Sequence, residues 1–480
     1  MIKILETYKK LPIQAKASLW FVFCNVFQKG IALITTPIFT RILTTEQYGI
    51  VNVYNAWSSL LTIFFTLNLS YGVFNKGLVK YESSRDQFTS SIQGLSTTVA
   101  LTLIGVYFIF KDIINANVGL STFLMIIMFF EMLIYPALGF WSARQRFEYK
   151  YIKLVIVTAL LTVFNALLSV IAVLNTEIYK AEAKLSASVL VIILVCGTIY
   201  ARNSFKGKQF YNKEIWMFAL SFNIPLIPHY LSQSVLNQTD RIMIDKFYGS
   251  TEAGIYGVAY SAGMLLTIFN SALIGSITPW MYDLIKKKNY NGVARKINGI
   301  LSLMLLIILA LILFAPEAIK VLASKEYYQA VYIIPPVAAS VYFMFMYNIV
   351  CLIEFYFEKT KLVLVASVSG AILNIALNLY FIPEFGYLAA GYTTLASYIF
   401  MSFLHFMFAA KIQKNNHVFP YLIEKKFLII SSLFLVLFSI LINFFYNQSI
   451  LRYGIILCIL VISFWKRKKI KQQLLEFKKR

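Results

Sequence analysis

Charge is what this sequence has least of. Only 14% of its 480 residues are Asp, Glu, Lys or Arg, while 59% are hydrophobic and the mean hydropathy is +0.71. A soluble domain averages about 25% charged residues, so an ordinary globular enzyme is excluded and a polytopic membrane protein is expected. Cysteine and histidine are also scarce, at four and three. Cys24, Cys196, Cys351 and Cys458 are scattered among apolar runs, and no pair has disulfide-framework or metal-motif spacing. Small apolar packing is their expected role. His229, His405 and His417 are too few for a histidine-rich zinc site, and no HExxH, GxSxG or Walker A pattern occurs. The expectation is therefore no catalytic residue, no metal and no organic cofactor, with a coupling ion, proton or sodium, left open.

Acidic residues are outnumbered 44 to 21, giving a net charge of +23. Such an excess would suggest nucleic acid if the basic residues clustered on a soluble face. Instead they sit between apolar runs and at the ends, as in "FWKRKKIKQQLLEFKKR". There they act as topology signals and attract anionic headgroups, so anionic membrane lipids are expected partners and nucleic acid is not.

Apolar windows long enough to cross about 30 Å of hydrocarbon fall near 17–39, 48–74, 88–110, 118–141, 151–174, 185–202 and 215–239. They continue near 253–280, 297–316, 332–356, 362–382, 387–410, 427–446 and 449–465. The first lacks a small-residue cleavage site and is followed at once by more spans, so it reads as the first helix and not as a leader. An all-α protein of about 14 transmembrane helices is predicted. Placing the N-terminus in the cytoplasm collects 34 of the 44 lysines and arginines on that side and leaves nine opposite, with Lys29 inside a span. That asymmetry predicts both termini in the cytoplasm. No connecting segment is long enough for a domain, so any machinery must lie among the helices.

The chain also repeats itself. "GIVNVYNAWSSLLTIF" at 49–64 overlays "GIYGVAYSAGMLLTIF" at 254–269 without a gap. "KLVIV" at Lys153 matches "KLVLV" at Lys361 in a similar register. Two parallel-repeat six-helix bundles around a central cavity are expected, at 1–208 and 209–414. Residues 415–480 then supply two further helices and a basic cytoplasmic tail.

Polar residues inside the spans mark the candidate cavity. Lys29 lies about twelve residues into the first span, some 18 Å deep at ~1.5 Å per residue. A lysine there costs roughly 2.5–3.5 kcal/mol on insertion scales. It shares a helical face with Asn25, Ala32 and Thr36. The seventh span carries His229, Gln233, Asn237, Asp240 and Arg241, with Pro225 and Pro228 expected to bend its early turns. The second presents Asn55 among serines and threonines, and its repeat partner presents Tyr256 and Tyr260. Arg41 sits near the outer interface, where it could equally snorkel to headgroups. Glu131, midway along the fourth span, is a charge partner for Lys29 or a protonation site, and it joins Asp240 as an ion-coupling candidate. Asparagines in such positions also act as interhelical glue. Lysine suits phosphate as a point charge, and arginine adds bidentate contact.

With these features in place, the chain resembles the multidrug/oligosaccharidyl-lipid/polysaccharide (MOP) exporter superfamily. The likeness is carried by "SFNIPLIPHYLSQSVLNQTDRIMIDKFYGSTEAGIYGVAYSAG" (221–263) and "TTPIFTRILTTEQYGIVNVYNA" (35–56). Its nearest branch is the Wzx-type flippases of O-antigen, capsule and exopolysaccharide repeat units. The resemblance implies an undecaprenyl-pyrophosphate-linked oligosaccharide as cargo, moved from the cytoplasmic to the outer leaflet of the bacterial inner membrane. It implies alternating access through a cavity lined by spans one, two, seven and eight. It also implies cationic cavity residues, a role matched here by Lys29, Arg241 and Arg41. Polysaccharide polymerase and chain-length machinery are implied partners. A multidrug antiporter or a lipid II flippase of the same fold is the alternative. A membrane glycosyltransferase or polymerase would need an external catalytic loop, and no such loop occurs.

Overall fold

The computed structural model describes residues 12–290, 292–418 and 422–465, and those residues form helices and turns with no strand among them. Lys3, Lys9, Lys10 and the basic tail from 466 onward lie outside the described residues. Eleven of the described helices are long and apolar enough to cross a membrane. The chain is a multi-pass membrane protein.

The remaining windows are helical too. Residues 48–74 contain the helix Thr45–Thr66, and 215–239 fall on Lys213–Asn223 and Ile227–Tyr248. Neither is among the eleven apolar helices, because both carry many polar side chains. The window at 449–465 is the helix Ser449–Trp465.

Contacts divide the chain into two compact units, Met1–Gly254 and Ile255–Arg480. The first holds α1 (Ile13–Ile42), α2 (Thr45–Thr66), α3 (Gly72–Lys80), α4 (Arg85–Ile109), α5 (Lys111–Val118) and α6 (Thr122–Ile134). It continues through α7 (Pro136–Phe147), α8 (Tyr151–Leu174), α9 (Lys180–Gly207), α10 (Lys213–Asn223) and α11 (Ile227–Tyr248) into the start of α12 (Ser250–Met264). The repeat boundary expected from the sequence is 208/209, whereas the packing divides at 254/255, because α11 lies along α2.

In the first unit α9 packs on α8, α4 and α6, while α1 packs on α8. Membrane helices gain little from apolar contact with one another, so polar contacts fix their register. Gln93 on α4 donates to the Tyr200 carbonyl at 3.0 Å and to Ser204 Oγ at 2.9 Å on α9, and it accepts from Asn203. Asn165 on α8 reaches Ser188 Oγ on α9 at 2.6 Å. An apolar cluster of Phe74, Phe88, Phe140 and Ile215 joins α3, α4, α7 and α10.

The second unit contains α13 (Leu266–Lys286), α14 (Val293–Leu313), α15 (Ala315–Leu322), α16 (Ile334–Tyr356), α17 (Thr360–Phe385), α18 (Ala389–Asn415), α19 (Lys425–Leu441) and α20 (Ser449–Trp465). Helix α16 is apolar nearly all round and buried along most of its length, as such a helix must be. α18 lies against it, with Ser402 Oγ donating to the Phe343 carbonyl at 2.7 Å. Asn374 on α17 reaches Thr394 on α18 at 3.4 Å.

The last two helices lie outside the sequence duplication, yet each is pinned into this unit. Tyr342 on α16 donates to Ser431 on α19 at 2.9 Å. Arg452 on α20, 2% exposed, donates to the Leu313 carbonyl at 2.8 Å and holds Glu317 of α15 with both terminal nitrogens. The Arg452 hydrogen bonds hold the Glu317 carboxyl far below its usual 4.5, at about 2. A carboxylate lowered on folding contributes stability above its unfolded value and loses it as pH falls toward the folded one. The pair is therefore expected to be at full strength above about pH 4.5 and to fade toward pH 2. Breaking a buried pair costs about 3–5 kcal/mol, but Glu317 is a third exposed, so Arg452→Leu is expected to cost about 1–3 kcal/mol. A melting temperature in detergent indistinguishable from wild type would remove α20 from the list of anchored helices.

Candidate functional site: a polar cleft in the first unit

A cleft of about 960 Å³ opens in the first unit among α1, α2, α6, α7, α8 and α11. Local sequence explains how each wall is aimed. Helix α2 starts on a capping box, in which the Thr44 side chain accepts from the Gln47 amide and Gln47 answers the Thr44 amide. It ends where Leu67 and Asn68 take left-handed backbone, with φ of 47° and 52°. That turn brings Asn68, Ser70 and Tyr71 to the cleft, below Ser58, Ser59, Thr62 and Thr66 of α2. Across from it, a Cβ on Gly139 would come within 2.9 Å of Ser70 Cβ, so glycine is what lets α7 approach the turn.

Helices α6 and α7 meet at Pro136, the first residue of α7, where a missing N–H costs little. Glu131 and Tyr135 line the cleft before this break, and Ser142 and Arg146 line it after. Pro225 and Pro228 interrupt the seventh stretch as expected. Ile224–Leu226 forms a 3-10 turn, the helix resumes at Ile227, and Tyr230, Gln233 and Ser234 line the cleft from α11. Ser234 Oγ also meets the Ser59 carbonyl at 3.4 Å, joining two walls.

The charges are few and distinct. Glu131 accepts from Tyr54 Oη at 3.0 Å, and the cation whose charge it feels is Lys184. Lys184 in turn lies 4.8 Å from the centroid of Phe39. The expected pairing of Glu131 with Lys29 is thus replaced by Tyr54 and Lys184. Arg144 on α7 is committed to Asp86 and to Glu148, the latter at 2.8 Å. Glu148, just beyond α7, is held below the usual carboxylate range; burial acts to raise it, and the hydrogen bonds from Arg144 and Lys150 outweigh that. Arg146 differs. It is exposed, its guanidinium lies 5.9 Å from the Phe21 centroid, and it forms no ion pair among the described residues. Among the described residues it is the cation that lines the cleft.

Of the sequence-derived candidates, Asn25, Gln233 and Glu131 line this cleft. On α1 the lining face is Phe21, Cys24, Asn25 and Gln28, positions i, i+3, i+4 and i+7. Lys29, one residue on, is half-buried beside that face and is not among the lining residues. The same holds of His229, whose ring sits 6.0 Å from that of Tyr230, and of Asn237, which donates to the Gln233 carbonyl at 2.7 Å. Asn55 is exposed one turn before Ser59 and gives its carbonyl to that hydroxyl.

Asp240 and Arg241 are buried, at 1% and 9% exposure, and Arg241 donates to Gln238 at 2.6 Å. Arg41 is exposed and donates to the Pro37 carbonyl of its own helix at 2.7 Å. Tyr256 and Tyr260 are packed in the second unit, stacked with centroids 5.9 Å apart. The sequence missed Arg146, Ser58, Tyr230 and Ser234 as cleft residues. Arg146 lies in a basic helix end that also serves topology, so its type alone did not single it out.

Residues 15–285 match the polysaccharide biosynthesis protein family. A protein of the Lsg locus of Haemophilus influenzae (strain ATCC 51907 / DSM 11121 / KW20 / Rd) is 25% identical over 377 residues, covering 75% of this chain and 89% of that protein. Among solved structures, the lipid II flippase MurJ in an inward closed conformation superposes with a TM-score of 0.69 at 15% identity, over 94% of this chain and all of that one. A multidrug resistance MATE family transporter of the MOP superfamily, inward-facing, gives 0.63 at 12% identity over 83% of this chain and 99% of that one. Those two likenesses establish the fold. The chain belongs to the polysaccharide biosynthesis protein family and has the fold of the MOP exporters.

Proposed function

We propose that the protein is a flippase, not an enzyme, carrying an undecaprenyl-pyrophosphate-linked oligosaccharide from the cytoplasmic to the outer leaflet of a bacterial inner membrane by alternating access. The observation that carries this reading is the hydroxyl- and amide-lined cleft with one uncommitted guanidinium, in a chain of a polysaccharide biosynthesis family. A sugar cannot enter hydrocarbon unaided, because each unsatisfied hydroxyl costs about 2–7 kcal/mol there. Serine, threonine, asparagine and glutamine along α1, α2 and α11 replace the water those hydroxyls lose, while the polyprenyl chain stays in lipid. The pyrophosphate is drawn to Arg146, with Lys29, Arg241 and Arg41 as further cations of the route. Both termini lie in the cytoplasm, where the repeat unit is assembled. An inside-negative potential favours outward movement of the anion by about 2.3 kcal/mol per charge per 100 mV.

Glu131 and Asp240 are the coupling-ion candidates. A multidrug antiporter that takes organic cations is disfavoured, because Glu131, the one carboxylate among the described residues lining the cleft, already accepts from Tyr54 and feels the charge of Lys184. Cells lacking the gene are expected to lose surface polymer and to accumulate lipid-linked repeat units on the cytoplasmic leaflet. Normal surface polymer, with no accumulated lipid-linked sugar, would refute the flippase reading. Lys29→Ala, beside the lining face, is expected to lower surface polymer by less than Arg146→Ala with membrane expression intact, and Lys29→Arg to retain most of it. Full polymer in Lys29→Ala cells would confine the anion-handling role to the arginines.

A further inference from the structure

The second unit buries three side chains that transport through the cleft leaves unused. Cys351 and Glu354 stand three residues apart on α16, and His405 faces them from α18. They are 5%, 0% and 1% exposed. His405 Nδ1 lies 2.9 and 3.0 Å from the two carboxylate oxygens of Glu354. One ligand atom from each of the three residues falls within 4.8 Å of the other two. Tyr347, one turn before Cys351, stacks on the imidazole with centroids 5.4 Å apart and planes 17° from parallel. The ring plane is thereby fixed. The cluster sits on the α16–α18 contact, where the Ser402–Phe343 hydrogen bond already holds the two helices together.

A carboxylate buried to this depth must be paired or must bind an ion. A histidine–glutamate pair could satisfy itself, but the thiol beside it brings a third ligand atom to the same point. Thiolate, imidazole and carboxylate together form a ligand set suited to a borderline-soft divalent ion. The charges also close. One thiolate and one carboxylate cancel a divalent cation, and a neutral imidazole adds nothing, so the loaded site carries no net charge inside a membrane protein. Tetrahedral zinc with bonds of about 2.0–2.3 Å needs its donors roughly 3.3–3.7 Å apart. His405 Nδ1 and the Glu354 oxygens, now 2.9 and 3.0 Å apart in a direct hydrogen bond, part by a few tenths of an ångström to admit the ion, and the thiol, within 4.8 Å of them, moves in. Hard ions such as sodium, magnesium or calcium would prefer oxygen alone.

We propose that Cys351, Glu354 and His405 form a binding site for a divalent transition-metal ion, with zinc as the first candidate, that clamps α16 to α18. The sequence carried no sign of it, because ligands at 351, 354 and 405 match no linear metal motif.

The test uses the full-length protein, purified in detergent, stripped with a chelator and loaded with Zn²⁺ or, separately, Co²⁺. About one zinc per chain is expected to survive desalting, as read by elemental mass spectrometry. Cobalt is expected to give a thiolate-to-metal charge-transfer absorption that persists in Cys458→Ser and disappears in Cys351→Ser. His405→Gln is expected to weaken zinc retention about tenfold or more, with circular dichroism confirming that the variant keeps its helices. A folded wild type that retains no zinc overturns the proposal. So does a cobalt band that Cys351→Ser leaves unchanged.

Discussion

Arg146→Ala is expected to cut delivery of surface polysaccharide about ten- to a hundredfold while leaving the protein at normal abundance in the membrane. The size follows from the chemistry: a hydrogen bond to a charged group is worth about 1.5–3 kcal/mol net, and each 1.4 kcal/mol is about tenfold. Arg146 lines the cleft and makes no ion pair among the described residues, so its removal strands no partner. That distinguishes it from Arg144, whose loss would leave Asp86 and Glu148 without their cation. Arg146→Lys keeps the charge but loses the bidentate fork, and an intermediate rate is expected. The measurement is surface polymer per unit of membrane-localised protein. Wild-type polymer from Arg146→Ala would remove the guanidinium from the proposed anion route.

The second large effect concerns the fold. Gly49 and Gly254 occupy the same place in the sequence repeat, and here they meet. A Cβ on Gly49 would lie 1.6 Å from the Ser250 carbonyl oxygen, and one on Gly254 would lie 2.4 Å from that of Thr45. Both obstacles are backbone, so no side-chain rotation can relieve them. Small residues allow this kind of close approach between membrane helices. Overpacking costs typically about 1–3 kcal/mol, and Gly49→Ala is expected at or above the top of that range because α2 and the start of α12 must separate. Gly30 on α1 is the matched control, since nothing lies within 4 Å of a Cβ placed there. Gly30→Ala is expected to be neutral or to stabilise by up to about 1 kcal/mol. Thermal unfolding in detergent compares the two directly. Equal midpoints for both variants would mean the crossing tolerates a methyl group and is looser than its geometry implies.

Much of the fold was legible from one dimension. Runs of about 20 apolar residues can satisfy their backbone in lipid only as helices, and each expected window is helical in the structure. Pro225 and Pro228 announced the break in the seventh stretch, because proline removes a donor and crowds the preceding turn. The polar serines, threonines and amides of α1, α2 and α11 announced three of the cleft's walls. Their orientation was harder to read. On α1 the stripe through Asn25 and Lys29 was a sound helical face, yet the cleft takes Asn25 and Gln28 and leaves Lys29 at its edge. Tyr256 and Tyr260, expected along a cavity, are packed on each other in the second unit.

By itself the sequence determined that this chain lives in a membrane and where its helices run, because length and hydropathy are properties of a line. Only the tertiary structure decided that Arg146 and not Lys29 lines the cleft, that Tyr54 and Lys184 attend Glu131, and that Cys351, Glu354 and His405 converge. The reason is physical. In a soluble helix the apolar stripe shows which side faces inward, but in a membrane lipid and protein interior are equally apolar, so the facing side is set by contacts between helices far apart in sequence.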